Sequence, residues 1–388
     1  MREVELGEVA RIETGTTPSK KNPDYHGGNI PFVKPGDLDE QPKRIFEAES
    51  YVTDLGAKQG RVIPENGVMV CCIGSLGKLA IAGRDMITNQ QINSVIFNEE
   101  KVEPKFGAYF LSTQKKELEH LASSTTVAIV NKTNFSKLKI PLPSLSEQKA
   151  IVAKLDRAQR LIDIDKEMLA KYDELIQSVF LEMFGDPVTN PKEWEVKKLG
   201  DVVEKLVAGK SFKSTDDDSG DYRVIKTGAV SWNTFDKSES KPLPPDYEPP
   251  SEHFINKGDI LISRMNTSEL VGASVLVRDE IENYTIPDRI WKIKWKSKDS
   301  QTLNYFWQCI NHESFRNEIS KIATGTSGSM KNMSKKKMFN MDVILPPIEL
   351  QKKFDEICDK IEHQKRQLFN SLKKSEELFS SLVQGAFG

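Results

Sequence analysis

The chain has 388 residues, 38% of them hydrophobic and 29% charged, with 55 Lys and Arg balanced by 57 Asp and Glu for a formal net charge of −2. That length exceeds one ordinary domain and suits two with connecting helices, and the charge balance excludes a chain that is basic overall, so a polyanionic partner would have to be met by locally concentrated or shared positive charge. No apolar run reaches the roughly 18 residues of a membrane span and the opening MREVELGEVARIE lacks a signal-peptide core, so a cytoplasmic chain with no membrane contact is expected.

In chain order, residues 1–140 form a first mixed α and β segment, in which short apolar or alternating runs broken by Gly, Pro, Asn and Asp imply strands and turns, with a helix around 104–121. It contains the amide-rich TNQQINS (88–94) and ends in SSTTVAIVNKTNFSKLK (123–139), a polar stretch with three lysines and no acid. Residues 141–185 open with PLPSLSEQKAI, in which prolines block backward extension and a serine can cap a helix. Ile151, Leu155, Ala158, Ile162, Asp165, Leu169, Tyr172, Ile176, Val179 and Met183 then fall at alternating steps of four and three, a heptad stripe with one polar intruder. Such a helix would run roughly 55 Å at ~1.5 Å per residue. Residues 186–343 form a second mixed segment, with a helix around 301–320 and another acid-free stretch (321–340) carrying Lys321, Lys331, Lys335, Lys336 and Lys337. Hydroxyls, amides, glycines and lysines together suit phosphate contact. Residues 344–388 open with LPPIELQKKF and place Phe354, Cys358, Ile361, Lys365, Leu368, Leu372, Ser375, Phe379, Leu382 and Ala386 on the stripe.

The two helical segments are copies. Aligning Gln148 with Gln351 sets an offset of 203 residues (351 − 148), and without gaps Leu142-Pro143 meets Leu345-Pro346, Asp156 meets Asp359, and Phe184-Gly185 meets Phe387-Gly388. An amphipathic helix this long cannot bury its stripe alone, and the other copy is the obvious partner. An antiparallel coiled coil sets a against d, which would bring Asp165 opposite Lys365 and fix register through that pair. The globular segments echo each other more faintly, with Leu6-Gly7 aligned to Leu199-Gly200, Lys34 to Lys226, Gly36 to Gly228 and Gly67 to Gly258. The fold class is therefore α+β: two mixed α/β domains separated by two long helices, an internal repeat with pseudo-twofold character.

Motifs for chemistry are missing from this pattern. NPDY (Asn22–Tyr25) resembles the Asn-Pro-Pro-Tyr motif of amino-methyltransferases but lacks the second proline, and it reads as a loop turn. No Walker loop and no HExxH occur; the five histidines are scattered, and Cys71, Cys72, Cys309 and Cys358 show no ligand spacing, so free thiols and no metal site are expected. A duplicated enzyme would be expected to repeat its acids in both halves, and no such match is found.

Over essentially the whole chain the pattern resembles the specificity (S, or HsdS) subunit of type I restriction-modification systems. The resemblance rests on the order of globular domain, helix, globular domain, helix, on IPLPSLSEQKAI and ILPPIELQKKF at the helix entries, and on YHGGNIPFVKPGDL, which looks like the start of a target-recognition domain. The second copy departs in having Leu350 where the first has Glu147. The resemblance implies a non-catalytic subunit of an adenine methyltransferase and endonuclease complex. Target-recognition domains 1–140 and 186–343 would each read one half of an asymmetric two-part site on double-stranded DNA. Helical spacers 141–185 and 344–388 would fix the half-site spacing and dock two modification subunits. Cofactors are expected elsewhere: S-adenosylmethionine on the modification subunits, ATP and Mg on the restriction subunits. The competing reading is a coiled-coil scaffold that binds proteins rather than DNA.

Arg, Lys, Asn and Gln are the types that pair with guanine or adenine edges. The candidates are Lys20, Lys21, Lys34, Asn89, Gln90 and Gln91 in the first domain. In the second they are Lys210, Lys213, Lys226, Arg264, Arg289, Lys331 and Lys335.

Overall fold

The computed structural model describes residues 2–122, 127–212, 220–297, 301–325 and 330–388. Packing divides the chain into two units, Met1–Lys166 with Asn370–Gly388, and Glu167–Phe369. Each unit therefore holds one globular segment plus a part of both long helices, so the division by packing cuts the helices that the sequence repeat treats as separate spacers.

In the first unit a five-stranded sheet runs in the order Ala10–Thr14, Ile92–Phe97, Val68–Cys71, Leu79–Ala82, Arg44–Ile45. Val68–Cys71 and Leu79–Ala82 are buried along their whole length, which explains their continuous rather than alternating apolar sequence. Helix Pro104–Ser112 covers the sheet with Phe106, Phe110 and Leu111 in the same core. A smaller sheet of Tyr51–Val52, His26–Val33, Met86–Thr88 and Val62–Ile63 carries its own cluster around Phe32, Val52 and Ile87. Strand Glu3–Glu5 pairs with Lys139–Pro141, returning the chain to its start just before the first long helix.

The second unit repeats this plan. Its main sheet has the order Val203–Ala208, Ile290–Trp295, Ile260–Ser263, Ser274–Leu276, matching the first four strands of the other. Strand Glu195–Lys198 pairs with Asp342–Leu345 as the closing ribbon. The expected helices around 104–121 and 301–320 are each two helices, Pro104–Ser112 with Lys115–Leu121 and Leu303–Asn311 with Glu313–Ile322. In the second pair the break is capped, His312 accepting from the Ser314 N–H. One alignment also shifts. The left-handed residue of the turn is Asn66 (φ 70°) in the first unit and Gly258 (φ 87°) in the second, and both donate N–H to a carbonyl at or just past the end of the neighbouring strand, Ala82 and Val277. Gly258 thus corresponds to Asn66 rather than Gly67, because Asn and Gly are the residues that tolerate this conformation.

The long helices are Leu145–Phe184 and Ile348–Phe387. The repeated glutamine at their entries has a physical reason. Gln148 is fully buried, accepts the Glu103 N–H at 2.9 Å and donates to the Lys101 and Pro143 carbonyls, both at 2.9 Å. Gln351, also fully buried, accepts the Thr302 N–H at 3.0 Å and donates to the Pro346 carbonyl at 2.8 Å. Each thus ties the start of a covering helix, where N–H groups lack partners, to the start of a long one. The repeated acid acts about two turns on: Asp156 accepts from Tyr109 and Lys105, and Asp359 accepts from the Asn304 amide.

Every residue of the two heptad stripes is buried or half-buried. In the first unit Val152 and Leu155 share a core with Phe379, Leu382 and Phe387, and the Phe387 ring lies 5.1 Å from that of Phe106. In the second unit Phe180 and Phe184 lie 5.8 and 5.4 Å from Phe354. In both units the beginning of one helix meets the end of the other, so the pair is antiparallel. The expected partner of Lys365 is corrected, however. Its ammonium lies 2.6 Å from Asp173 and 3.5 Å from Glu362, so the carboxylate that holds it comes eight residues after Asp165. Asp165 is buried in the first unit, and its Oδ2 has no hydrogen-bond partner among the described residues. A displacement of about one heptad preserves the facing of a and d positions, so periodicity cannot choose between registers. In the observed register Phe180 and Phe184 pack against Phe354.

Candidate nucleic-acid interface

In the first unit the smaller sheet and the turn before Ile92–Phe97 enclose a cleft of about 610 Å³ lined by Thr17, Lys20, His26, Phe32, Lys34 and Gln90 among others. Lys34 sits at the end of strand His26–Val33, capping a 3₁₀ turn, with Nζ 2.6 Å from Ser50 Oγ and 5.4 Å from the Phe32 ring centre. Lys20 and Lys21 are exposed, and neither ammonium has a partner among the described residues. The amide-rich stretch divides. Asn89 is buried and bonded to Gln91 twice, amide to Oε1 at 2.9 Å and Oδ1 from N–H at 3.1 Å, which holds a turn. Asn93 is buried too, accepting from the Thr14 hydroxyl at 2.7 Å. Gln90 is exposed, and its Oε1 accepts from the Thr17 hydroxyl at 2.5 Å. The structure thus brings Lys20, Lys34, Asn89 and Gln90 to one cleft and gives Asn89 and Gln91 a turn-forming role. Asn22 of NPDY caps the 3₁₀ turn Pro23–Tyr25 by accepting from Asp24 N–H, as a loop turn requires.

In the second unit Arg264, Arg289 and Lys331 are neighbours through the backbone. Arg264 donates its N–H to the Arg289 carbonyl at 3.0 Å, and Met265–Asn266 pairs with Lys331–Asn332. The Arg264 guanidinium lies 5.8 Å from the Trp291 ring and its Nε has no hydrogen-bond partner among the described residues. Arg289 is exposed with no partner for its guanidinium among the described residues. Lys210 stands over the Phe212 and Tyr247 rings at 5.0 and 5.1 Å. Lys226 caps a 3₁₀ turn as Lys34 does, with Nζ 3.9 Å from Glu239. Lys335 is exposed on the short helix Lys335–Phe339, whereas Lys321 is held by Glu318 and Lys337 by the Ile322 carbonyl. Lys213 lies outside the described residues, as do parts of both acid-free stretches (123–126 and 326–329).

Sequence reasoning missed three features. Trp232 is 76% exposed in the loop that follows the Lys226 turn, a costly position for so large an apolar ring. The hydroxyls of Thr17 and Ser211 each engage a side chain just before the second strand of the main sheet (Ile92–Phe97 and Ile290–Trp295), Gln90 and Asp288. A glycine two residues ahead of each hydroxyl was the available signal. Among the described residues no group of three or more His, Cys, Asp or Glu could hold a metal ion, and no helix is long and apolar enough to cross a membrane. Burial pushes the Cys72, Cys309 and Cys358 thiols up to about 12, leaving them as small apolar fillers.

A chain that builds one mixed α/β lobe twice, each lobe followed by a long heptad-patterned helix, defines a class: the internally duplicated chain of two mixed α/β lobes. The chain belongs to the family described as type I restriction modification DNA specificity domain, whose pattern matches residues 1–171 and 191–376. It is 28% identical to the type I restriction enzyme MjaIX specificity subunit of Methanocaldococcus jannaschii over 223 residues, 52% of this chain and 50% of the relative. It thus spans about half the length of that relative. The MjaVIII specificity subunit of the same organism is 24% identical over 325 residues, covering 78% of this chain and 73% of the relative. The crystal structure of the S subunit of a type I restriction-modification system from M. genitalium shares the fold at a TM-score of 0.55, with 15% identity and 100% and 96% coverage.

Proposed function

We propose that this chain is the DNA-recognition subunit of a type I restriction-modification complex. Each lobe reads one half of an asymmetric two-part site on double-stranded DNA, and the antiparallel helices fix the distance between the halves and dock two modification subunits. The chain performs no chemistry itself. S-adenosylmethionine belongs to the modification subunits, ATP and Mg to the restriction subunits, and the assembly works in the cytoplasm. The observation that carries this reading is the double construction: one lobe plan occurs twice with different side chains at the same places, inside a family match that covers both copies. Two readers that differ in side chain address two different half-sites, and paired modules address halves at a spacing set by the protein. Phosphate contact is supported by Lys20, Lys21 and Lys335, exposed cations without a partner among the described residues. Docking of protein partners is supported by Leu161, Ile164, Met168 and Leu175, exposed apolar side chains on the first long helix.

The test is adenine methylation of plasmid DNA in cells that co-express candidate modification subunits with or without this chain. A two-part asymmetric motif that vanishes when the chain is omitted supports the reading. Methylation that ignores the chain contradicts it, and a stable protein complex with no DNA affinity would favour the scaffold instead.

A further inference from the structure

The two lobes build a similar corner beside the second strand of the main sheet, Ile92–Phe97 and Ile290–Trp295, closed by different backbone hydrogen bonds. In the first, strand Ala10–Thr14 runs into Gly15, whose N–H donates to the Ile92 carbonyl at 3.0 Å. A Cβ at Gly15 would lie 2.1 Å from the Asn89 carbonyl oxygen, so only glycine allows this approach. Two residues on, the Thr17 hydroxyl reaches Gln90, two positions before strand Ile92–Phe97 begins. In the second lobe, strand Val203–Ala208 runs into Gly209, whose N–H donates to the Pro287 carbonyl at 3.1 Å. A Cβ there would lie 1.7 Å from the Ile286 carbonyl oxygen. Two residues on, the Ser211 hydroxyl reaches Asp288, two positions before strand Ile290–Trp295 begins. A bulge between Val203 and Lys205 absorbs the one extra residue in the second lobe. Gln90 and Asp288 are therefore equivalent positions, followed by Gln91 and Arg289.

The chemistry at these matched positions differs. The exposed Gln90 amide offers a donor beside an acceptor, the pattern that pairs with the N6 and N7 edge of adenine. Asp288 offers only acceptors, which suit the amino group of cytosine, and the exposed Arg289 guanidinium offers the donor fork that suits O6 and N7 of guanine. The second lobe holds its other arginines: Arg278 on Glu362, Arg316 on the Glu269 and Val271 carbonyls, and Arg223 on Ser240. Arg289 and its neighbour Arg264 are the ones left without an acceptor for the head group among the described residues.

We infer that Gln90 in the first lobe and Asp288 with Arg289 in the second are corresponding specificity-determining residues, and that they give the two half-sites different compositions. The first lobe reads an A·T pair through Gln90, and the second reads a G·C pair through Asp288 and Arg289. This inference rests on the reading under Proposed function.

The experiment compares methylation motifs set by the full chain and its variants in complex with modification subunits. Arg289→Gln is expected to change one half only: the preference for guanine at one position falls roughly 5- to 150-fold and adenine gains there. Gln90→Arg is expected to do the reverse in the other half. Arg289→Lys, which keeps the charge and loses the fork, is expected to relax the same guanine and covers the case in which Arg289→Gln does not fold. A wild-type motif that these variants leave unchanged overturns this inference and leaves half-site reading intact. Variants that weaken both halves alike also overturn it, because that is the signature of a structural role. A wild-type chain that sets no motif removes the reading under Proposed function and this inference with it.

Discussion

Replacing Gln148 with alanine tests how the first lobe is fastened to its long helix. The side chain is fully buried and makes three hydrogen bonds, one accepted from the Glu103 N–H and two donated to the Lys101 and Pro143 carbonyls. A buried hydrogen bond contributes a net ~1 kcal/mol, and a buried partner left unsatisfied costs ~1–3 kcal/mol. Three such partners give an expected destabilisation of about 3–5 kcal/mol for Gln148→Ala. Gln351→Ala, with the two bonds to Thr302 and Pro346, should cost about 2–3 kcal/mol. Gln148→Glu should be as damaging as alanine, because a carboxylate would face two carbonyl oxygens. Urea denaturation followed by circular dichroism measures the magnitude. Amide hydrogen exchange locates it: the Glu103 amide should lose protection in Gln148→Ala, and the Thr302 amide in Gln351→Ala. A destabilisation below about 0.5 kcal/mol, or unchanged protection at Glu103, would refute the reasoning.

Three further outcomes are expected. Gly15→Ala and Gly209→Ala should each destabilise by more than about 2 kcal/mol in chemical denaturation, since a Cβ would meet carbonyl oxygens at 2.1 and 1.7 Å, whereas Gly36→Ala has open space and should be near neutral; equal effects at the three sites would contradict the corner described above. Burial pushes the Asp355 carboxyl above its ordinary value of 3.8, so the folded chain holds this proton more tightly than the unfolded chain, and the stability the group contributes falls as pH rises from about 4 through the raised folded value. Asp355→Asn removes that dependence, so the variant should gain on the wild type as pH rises from 4 to 7 in thermal melts; a pH-independent difference would be the wrong result. Lys20→Ala should weaken binding to all DNA sequences alike and lower the slope of log affinity against log salt by about one, read by fluorescence anisotropy, and a change of sequence preference would contradict its assignment to phosphate.

Much of this architecture was legible because it depends on spacing. The copied helices, their heptad stripes and their antiparallel pairing follow from period and length, and the repeated Gln148 and Gln351 marked a fastening that could be recognised before its partners were known. Register was not legible, since a shift of one heptad leaves the stripe unchanged; in the observed register Lys365 pairs with Asp173, and Phe180 and Phe184 pack against Phe354. The Gly67 alignment was off by one because Asn66 and Gly258 share a left-handed turn through different residue types. Residue type alone nominated Gln90 and Arg289 along with Asn89, whose amide is buried in a turn. It passed over Asp288 and Trp232, whose placement comes from the corner glycine and the 3₁₀ turn rather than from any local motif.

The central claim is that two lobes of one plan read two different half-sites. It is tested most directly by sequencing the methylation set by a chain that carries residues 1–185 twice in place of both lobes, beside the natural chain and with the same modification subunits. An asymmetric two-part motif is expected for the natural chain and, for the doubled lobe, a motif whose two halves are inverted copies of the first half-site. An asymmetric motif from the doubled lobe, or the same motif from both chains, would contradict it.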